Sequence, residues 1–235
     1  MKILGIDSSG MVASVAIVQD DVLIAEYTMN HKKTHSETLL PMIDEIIRTS
    51  ETKLEELDAI AIAAGPGSFT GLRIGAATAK GLALSIGKPI IPVNTCEGLA
   101  YNMWGTEGLV CPVIDARRSQ VYTGLYQVLG GIEVVMDQCP MDIHELIEHV
   151  NSLGDTYRQI TFLGDAVPVY EDIIWKETGI SCKIAPASMN RQRAASVAAL
   201  GELLYKEKKM IDADDFAPEY LRKSQAERVR SEKMS

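Results

Sequence analysis

What this sequence lacks narrows its function before any motif is considered. Its 4 cysteines, Cys96, Cys111, Cys139 and Cys182, stand far apart with no C-x-x-C pair, which excludes a zinc knuckle and a small disulfide scaffold and leaves reduced thiols as the expectation. No apolar run approaches the roughly 18 uninterrupted residues of a membrane helix, and the run in Met1–Asp7 is too short for a signal peptide. A soluble, cytoplasmic protein is expected. The body of the chain has no basic stripe and the net charge is −9, so unaided binding of a polyanion is not expected and any nucleic acid contact should be shared or indirect. The exception is a locally basic stretch from Arg222 to Lys233, read as a flexible C-terminal tail over 223–235. Signatures of hydrolysis are missing too: Gly67-Ser68-Phe69 is not a G-x-S-x-G elbow, and no histidine with an acid partner suggests itself. His31 and His35 straddle a helix start with no third ligand in register, while His144 and His149 are five apart, wrong for one helical face.

What is present is enough apolar residue, 46% of 235, for one large domain or two small ones, and two lobes are expected. Lys2–Ser9, Val12–Val18 and Val22–Met29 read as an antiparallel meander. An amphipathic helix follows, with Leu39, Met42, Ile43, Ile46 and Ile47 at helical spacing, Ser36 as its N-cap, and Pro41 kinking or delaying its start. The strand Asp58–Ala64 is apolar on both faces and leads directly into Gly65-Pro-Gly-Ser-Phe-Thr-Gly-Leu-Arg-Ile-Gly75. That glycine-rich turn exposes backbone N–H groups at a helix start, where a phosphate could sit; the same geometry serves to let a helix lie close on a sheet. Along the helix, Gly71, Gly75, Ala79 and Ala83 recur every four residues, a smooth stripe for close approach either by the chain's own sheet or by another subunit. Strand, Asp turn and strand then recur at Val110–Asp115 and Gln120–Tyr126, which suggests a duplicated architecture. The expected division is 1–104 plus 190–222 for the first lobe and 105–189 for the second. A final helix, Arg191–Lys208, should return to the first lobe.

Two turns could carry chemistry. Asp7, Ser8 and Ser9 after the first strand offer a carboxylate for a hydrated cation and hydroxyls for phosphate oxygens, and Asp115 with Arg117 and Arg118 occupies the matching turn of the second lobe. Against this, Asp and Ser in a hairpin turn commonly bond their own backbone, and Asp115 can simply neutralise a neighbouring Arg.

Gly5-Ile-Asp-Ser-Ser9, His35-Ser-Glu37 with Leu40-Pro41, Gly65-Pro-Gly-Ser-Phe-Thr-Gly-Leu-Arg73, Asp115-Ala-Arg117 and Pro218-Glu-Tyr-Leu-Arg222 together resemble the TsaB (YeaZ) family over almost the whole chain. The resemblance implies an α/β, actin-like ATPase fold (ASKHA, ribonuclease H-like) with two lobes. It also implies a noncatalytic partner of TsaD in making threonylcarbamoyladenosine in tRNA. TsaD carries a His-Met-Glu-Gly-His phrase whose two imidazoles bind its metal; the matching phrase here is Thr95-Cys-Glu-Gly-Leu99, without either ligand. No cofactor is then required, and weak or shared ATP or ADP with magnesium would fall to Asp7, Ser9, Asp115 and Arg117. Gln120 stands where the family often has Glu.

By the same resemblance the first two helices form a bundle with TsaD, with His35, Leu39, Met42, Ile43, Ile46, Gly71, Gly75 and Ala79 as the partner-binding residues. A large residue at Gly75 is expected to abolish binding and leave the fold mostly intact. The ATPase TsaE belongs to the same assembly, tRNA is contacted indirectly, and in the absence of TsaD the surface pairs with a second copy of itself. The alternatives are an actin-like small-molecule kinase using Asp7 and Asp115, and a metallopeptidase, against which Thr95 and Leu99 argue.

Overall fold

The structure is a computed structural model that describes residues 1–31, 34–117 and 119–222. The tail expected at 223–235 lies outside the described residues. Strands β1 (Lys2–Asp7), β2 (Ala13–Gln19) and β3 (Val22–Met29) form the expected antiparallel meander, and β4 (Ala59–Gly65) and β5 (Ile90–Asn94) add to β1 in parallel. The sheet order is β3-β2-β1-β4-β5. A second sheet repeats the plan with β6 (Leu109–Asp115), β7 (Gln120–Gln127) and β8 (Glu133–Asp142) antiparallel, and β9 (Gln159–Leu163) and β10 (Ser181–Ile184) parallel to β6. Helices α1 (His35–Thr49) and α2 (Phe69–Ile86) follow β3 and β4, as α4 (Ile143–Ser152) and α5 (Val167–Glu177) follow β8 and β9. The duplicated topology is that of the actin-like, two-sheet α/β fold.

Residue size along β4 decides how the first sheet is covered. Side chains of a strand alternate between faces, and Ile60 and Ile62 point with Leu4 and Ile6 into a core closed by Leu39, Met42, Ile43 and Ile46 of α1 and Ala76, Ala79 and Ala83 of α2. Ala59, Ala61 and Ala63 point the other way, to α6 (Ala194–Lys206). The small residues let that helix approach: a Cβ at Gly201 would lie 2.6 Å from Cβ of Ala61, and one at Gly5 2.4 Å from the Ala194 carbonyl oxygen. The final helix thus packs on the first sheet. The short helix α3 (Thr95–Tyr101) joins the two halves, because Cys96, Leu99 and Ala100 share a buried cluster with Val110, Ile114, Tyr126, Val128 and Leu163.

Two local expectations are corrected. The N-cap of α1 is Thr34, not Ser36, and Pro41 lies inside the helix without delaying its start. Proline withholds the N–H that would bond the carbonyl of Glu37, but Glu37 and Pro41 are both exposed, so water can serve that carbonyl.

Candidate functional site

The ends of β1 and β4 meet under the start of α2. Asp7 is 2% exposed and its Oδ1 accepts from the Ser9 N–H at 2.9 Å and the Ser9 hydroxyl at 2.6 Å, a local Asx arrangement. The turn is sealed from above: Ser68 N–H donates to the Ser9 carbonyl at 2.6 Å, and Ser8 Oγ donates to the Gly71 carbonyl at 2.9 Å. His35 closes the side, its Nε2–H donating to the Gly10 carbonyl at 2.8 Å. Such packing needs glycine, since a Cβ would lie 2.3 Å from the Ser9 carbonyl oxygen at Gly67 and 2.1 Å from that of Ser8 at Gly71. Of the two uses read for the Gly-rich turn, close packing is the one these contacts describe.

Burial pushes the Asp7 carboxyl up to about 6 from 3.8, with the hydrogen bonds from Ser9 and the charge of His35 pulling the other way. A proton held more tightly in the folded state adds stability that is complete below pH 3.8 and lost as pH rises through about 6. Asp7→Asn keeps an acceptor for Ser9 and removes the titration. It is expected to raise stability at pH 8 by about 1–3 kcal/mol and to flatten the pH dependence between about 4 and 6 in urea unfolding. A variant as pH-dependent as the parent in that window would show that Asp7 is not its source.

Beside this sealed turn an open cleft of about 510 Å³ runs between the two sheets. Ser9, Gly10, Met11 and Ser68 line it from the first half and Asp115, Arg117, Asp165 and Val169 from the second, with Glu219–Arg222 of the C-terminal segment lining it as well. Asp115 accepts from the Arg117 N–H at 2.8 Å, and the Arg117 guanidinium stands 3.5 Å from the carboxylate but is largely in solvent. Asp165 Oδ1 in turn accepts from the Asp115 N–H at 3.0 Å, and burial raises its pKa. The cleft therefore presents Asp115, Asp165 and Arg117 on one side, serine, backbone and the apolar Met11 and Phe69 on the other, and a further carboxylate and guanidinium from Glu219 and Arg222.

The structure brings together only part of the nucleotide set expected from sequence. Asp115 and Arg117 face the cleft; Asp7 does not line it, and the Ser9 hydroxyl is already donated to Asp7. Asp165 was not singled out. The signal for it was the duplication itself: Gly164 directly follows β9 much as Gly65 closes β4, with φ of 122° against 124°.

The expected partner-binding residues need a larger correction. Leu39, Met42, Ile43 and Ile46 are 0–9% exposed and lie in the core of the chain's own first lobe, as does Ala79. Gly71 and Gly75 face Ser8, so the small stripe of α2 is taken by the β1 turn. His35 is committed to Gly10. A Cβ at Gly75 would lie 2.3 Å from Ser8 Oγ, so a large residue there strains the fold itself, contrary to the expectation that only binding would suffer. The accessible surface of the two helices is their opposite side: Leu40 at 57% and Leu84 at 53%, with Pro41, Asp44, Ala77 and Gly81 also exposed.

Residues 23–229 match the family described as TsaD: tRNA N6-adenosine threonylcarbamoyltransferase. The tRNA threonylcarbamoyladenosine biosynthesis protein TsaB of Bacillus subtilis (strain 168) is 38% identical over 229 residues, covering 97% of this chain and 96% of that one. YeaZ from Pseudomonas aeruginosa superposes with a TM-score of 0.78 at 22% identity, over 94% of this chain and 99% of its own. An inorganic polyphosphate/ATP-glucomannokinase from Arthrobacter sp. strain KM shares the fold at a TM-score of 0.51 and 12% identity, over 87% of this chain and 99% of that one. Identity at this level along nearly the whole length shows that this chain belongs to the TsaB family of tRNA threonylcarbamoyladenosine biosynthesis proteins.

Proposed function

We propose that this chain is a noncatalytic subunit that holds TsaD through the outer faces of α1 and α2 and thereby supports threonylcarbamoyl transfer to tRNA. One observation carries the reading: both helices have their inner faces committed to the core, yet each leaves one leucine more than half exposed on its outer face, Leu40 beside Pro41 on α1 and Leu84 near Ala77 and Gly81 on α2. Apolar side chains left exposed on the outer sides of two adjacent helices offer a seat for another helix. The small residues allow that helix to approach within the usual 8–10 Å. In the absence of TsaD the same face would pair, more weakly, with a second copy of this chain.

The noncatalytic part rests on residues whose side chains have other tasks. Thr95 is 1% exposed and its hydroxyl accepts from the Gly65 N–H at 3.1 Å, while Leu99 is buried in the cluster under α3. Both positions, which in TsaD's phrase carry imidazoles, are structural here. Any nucleotide in the cleft would meet three carboxylates, Asp115, Asp165 and Glu219, against Arg117 and Arg222, and would be held weakly or shared with a partner. Contact with tRNA is indirect and TsaE joins through the assembly. Among the described residues no helix is long and apolar enough to cross a membrane, and the cytoplasm is the proposed compartment.

The test is threonylcarbamoyl transfer to tRNA by TsaD, TsaE and the threonylcarbamoyl-adenylate synthase, with and without this chain, alongside size-exclusion light scattering with TsaD. Transfer that depends on the chain and a co-eluting complex are expected. No complex and no stimulation would overturn the reading.

A further inference from the structure

The segment 214–222 is attached first to one half of the molecule and then to the other. On the first side, Lys80 Nζ donates to the carbonyls of Asp214 and Phe216, each at 3.0 Å, and the Glu219 N–H donates to the Ala64 carbonyl at 2.7 Å. Tyr220 packs on Phe69 with ring centroids 4.7 Å apart, and the Arg73 guanidinium lies 4.0 Å over the same Phe69 ring. These contacts fix the segment along α2 and the end of β4. At its far end it turns to the second half: Arg222 Nη1 donates to the Ala116 carbonyl, just after β6, at 2.6 Å.

One side chain returns the contact. Gln138 on β8 donates through Nε2 to Glu219 Oε2 at 3.0 Å and to the Gly65 carbonyl at 3.2 Å, while its Oε1 accepts from the Cys96 N–H at 3.4 Å. A single amide of the second half thus engages the end of β4, the start of α3 and the C-terminal segment. We infer that Pro218–Arg222, held by Gln138 and Ala116, is a clasp that fixes the separation of the two lobes over the cleft, and that its release opens the cleft. The physical asymmetry supports this. Under α3 the halves share a dry core of Leu99, Val110, Ile114 and Tyr126, which is costly to separate; through Gln138 and the C-terminal segment they share a few partly exposed hydrogen bonds, the kind that open first. The inference concerns the free chain and does not depend on TsaD binding.

Hydrogen exchange of the full chain, followed by mass spectrometry, tests it with Arg222→Ala, Gln138→Ala, the double variant and Arg222→Lys. Among the described residues the Arg222 side chain hydrogen-bonds to Ala116 and not to α3, so a local loss would raise exchange only in 115–117 and 218–222. Release of a clasp must also free Gln138 from Cys96. About tenfold faster exchange at the start of α3 is therefore expected in Arg222→Ala, the effect of losing one hydrogen bond from a charged donor. Arg222→Lys, which keeps a donor, should restore much of the protection. The double variant should exchange little faster there than either single variant, because either change already opens the same element. Changes confined to each residue's own neighbours, or effects that simply add, would overturn the clasp.

Discussion

Replacing Gly71 with alanine is expected to lower the stability of the free protein by about 2–4 kcal/mol, although the same exchange inside an exposed helix normally stabilises by about 0.5–1 kcal/mol. The reversal comes from what lies above the helix. The new Cβ would be 2.1 Å from the Ser8 carbonyl oxygen, and that oxygen is backbone, so it cannot swing away as a side chain would. Either α2 or the turn after β1 has to move. Overpacking of this kind costs about 1–3 kcal/mol, and the bond from Ser8 Oγ to the Gly71 carbonyl, worth about 1 kcal/mol, is displaced with it. Gly75→Ala meets Ser8 Oγ at 2.3 Å, a side chain that can rotate at the cost of its bond to Gly71, so its penalty should be smaller. Gly81→Ala meets nothing among the described residues within 4 Å of the added carbon and should be neutral or stabilising. Urea unfolding of the three variants checks the order. Equal stability across them would mean that α2 does not rest on the β1 turn as described.

The same three glycines show what was legible in the sequence and what was not. Periodicity and turn chemistry revealed the meander, the strand that runs into the Gly-Pro-Gly turn, and the recurrence of that plan after residue 109, because these depend on neighbours along the chain. They could not say which way a stripe of small residues faces, since smoothness suits the chain's own backbone and a foreign helix equally. Gly71 and Gly75 face Ser8, a residue more than 60 positions away in sequence. The apolar face of α1 was subject to the same ambiguity: Leu39 and Ile46 had an unpartnered sheet to cover before any partner could use them. Asp7 and Asp115 likewise look equivalent, each an aspartate at a strand end before a turn. Only Asp7 is roofed by Ser68 and α2, while Asp115 opens on the cleft, and no local pattern distinguishes them. The clasp was beyond reach altogether, for Gln138 and Glu219 are 81 residues apart and Arg222 and Ala116 are 106 apart.

Gly81→Trp is expected to weaken binding to TsaD at least 100-fold while leaving the free chain as stable as the parent. In the free chain position 81 is exposed and nothing among the described residues approaches within 4 Å of its Cβ position, and tryptophan is a better helix former than glycine. In a complex built on the outer face of α2, the same indole would occupy the space between two helix axes about 8–10 Å apart. The indole projects from the exposed side of the helix, the side that Ala77 and Leu84 also occupy. Leu84→Asp should weaken binding by a separate route, since it sets a charge where an apolar contact is needed. Thermal unfolding of the free variant and light scattering of its mixture with TsaD separate the two effects. Loss of complex at unchanged melting temperature places the partner on this face. A Gly81→Trp chain that binds TsaD as the parent does would remove α2 from the interface, and the exposed leucines of α1 and α2 would then need another explanation.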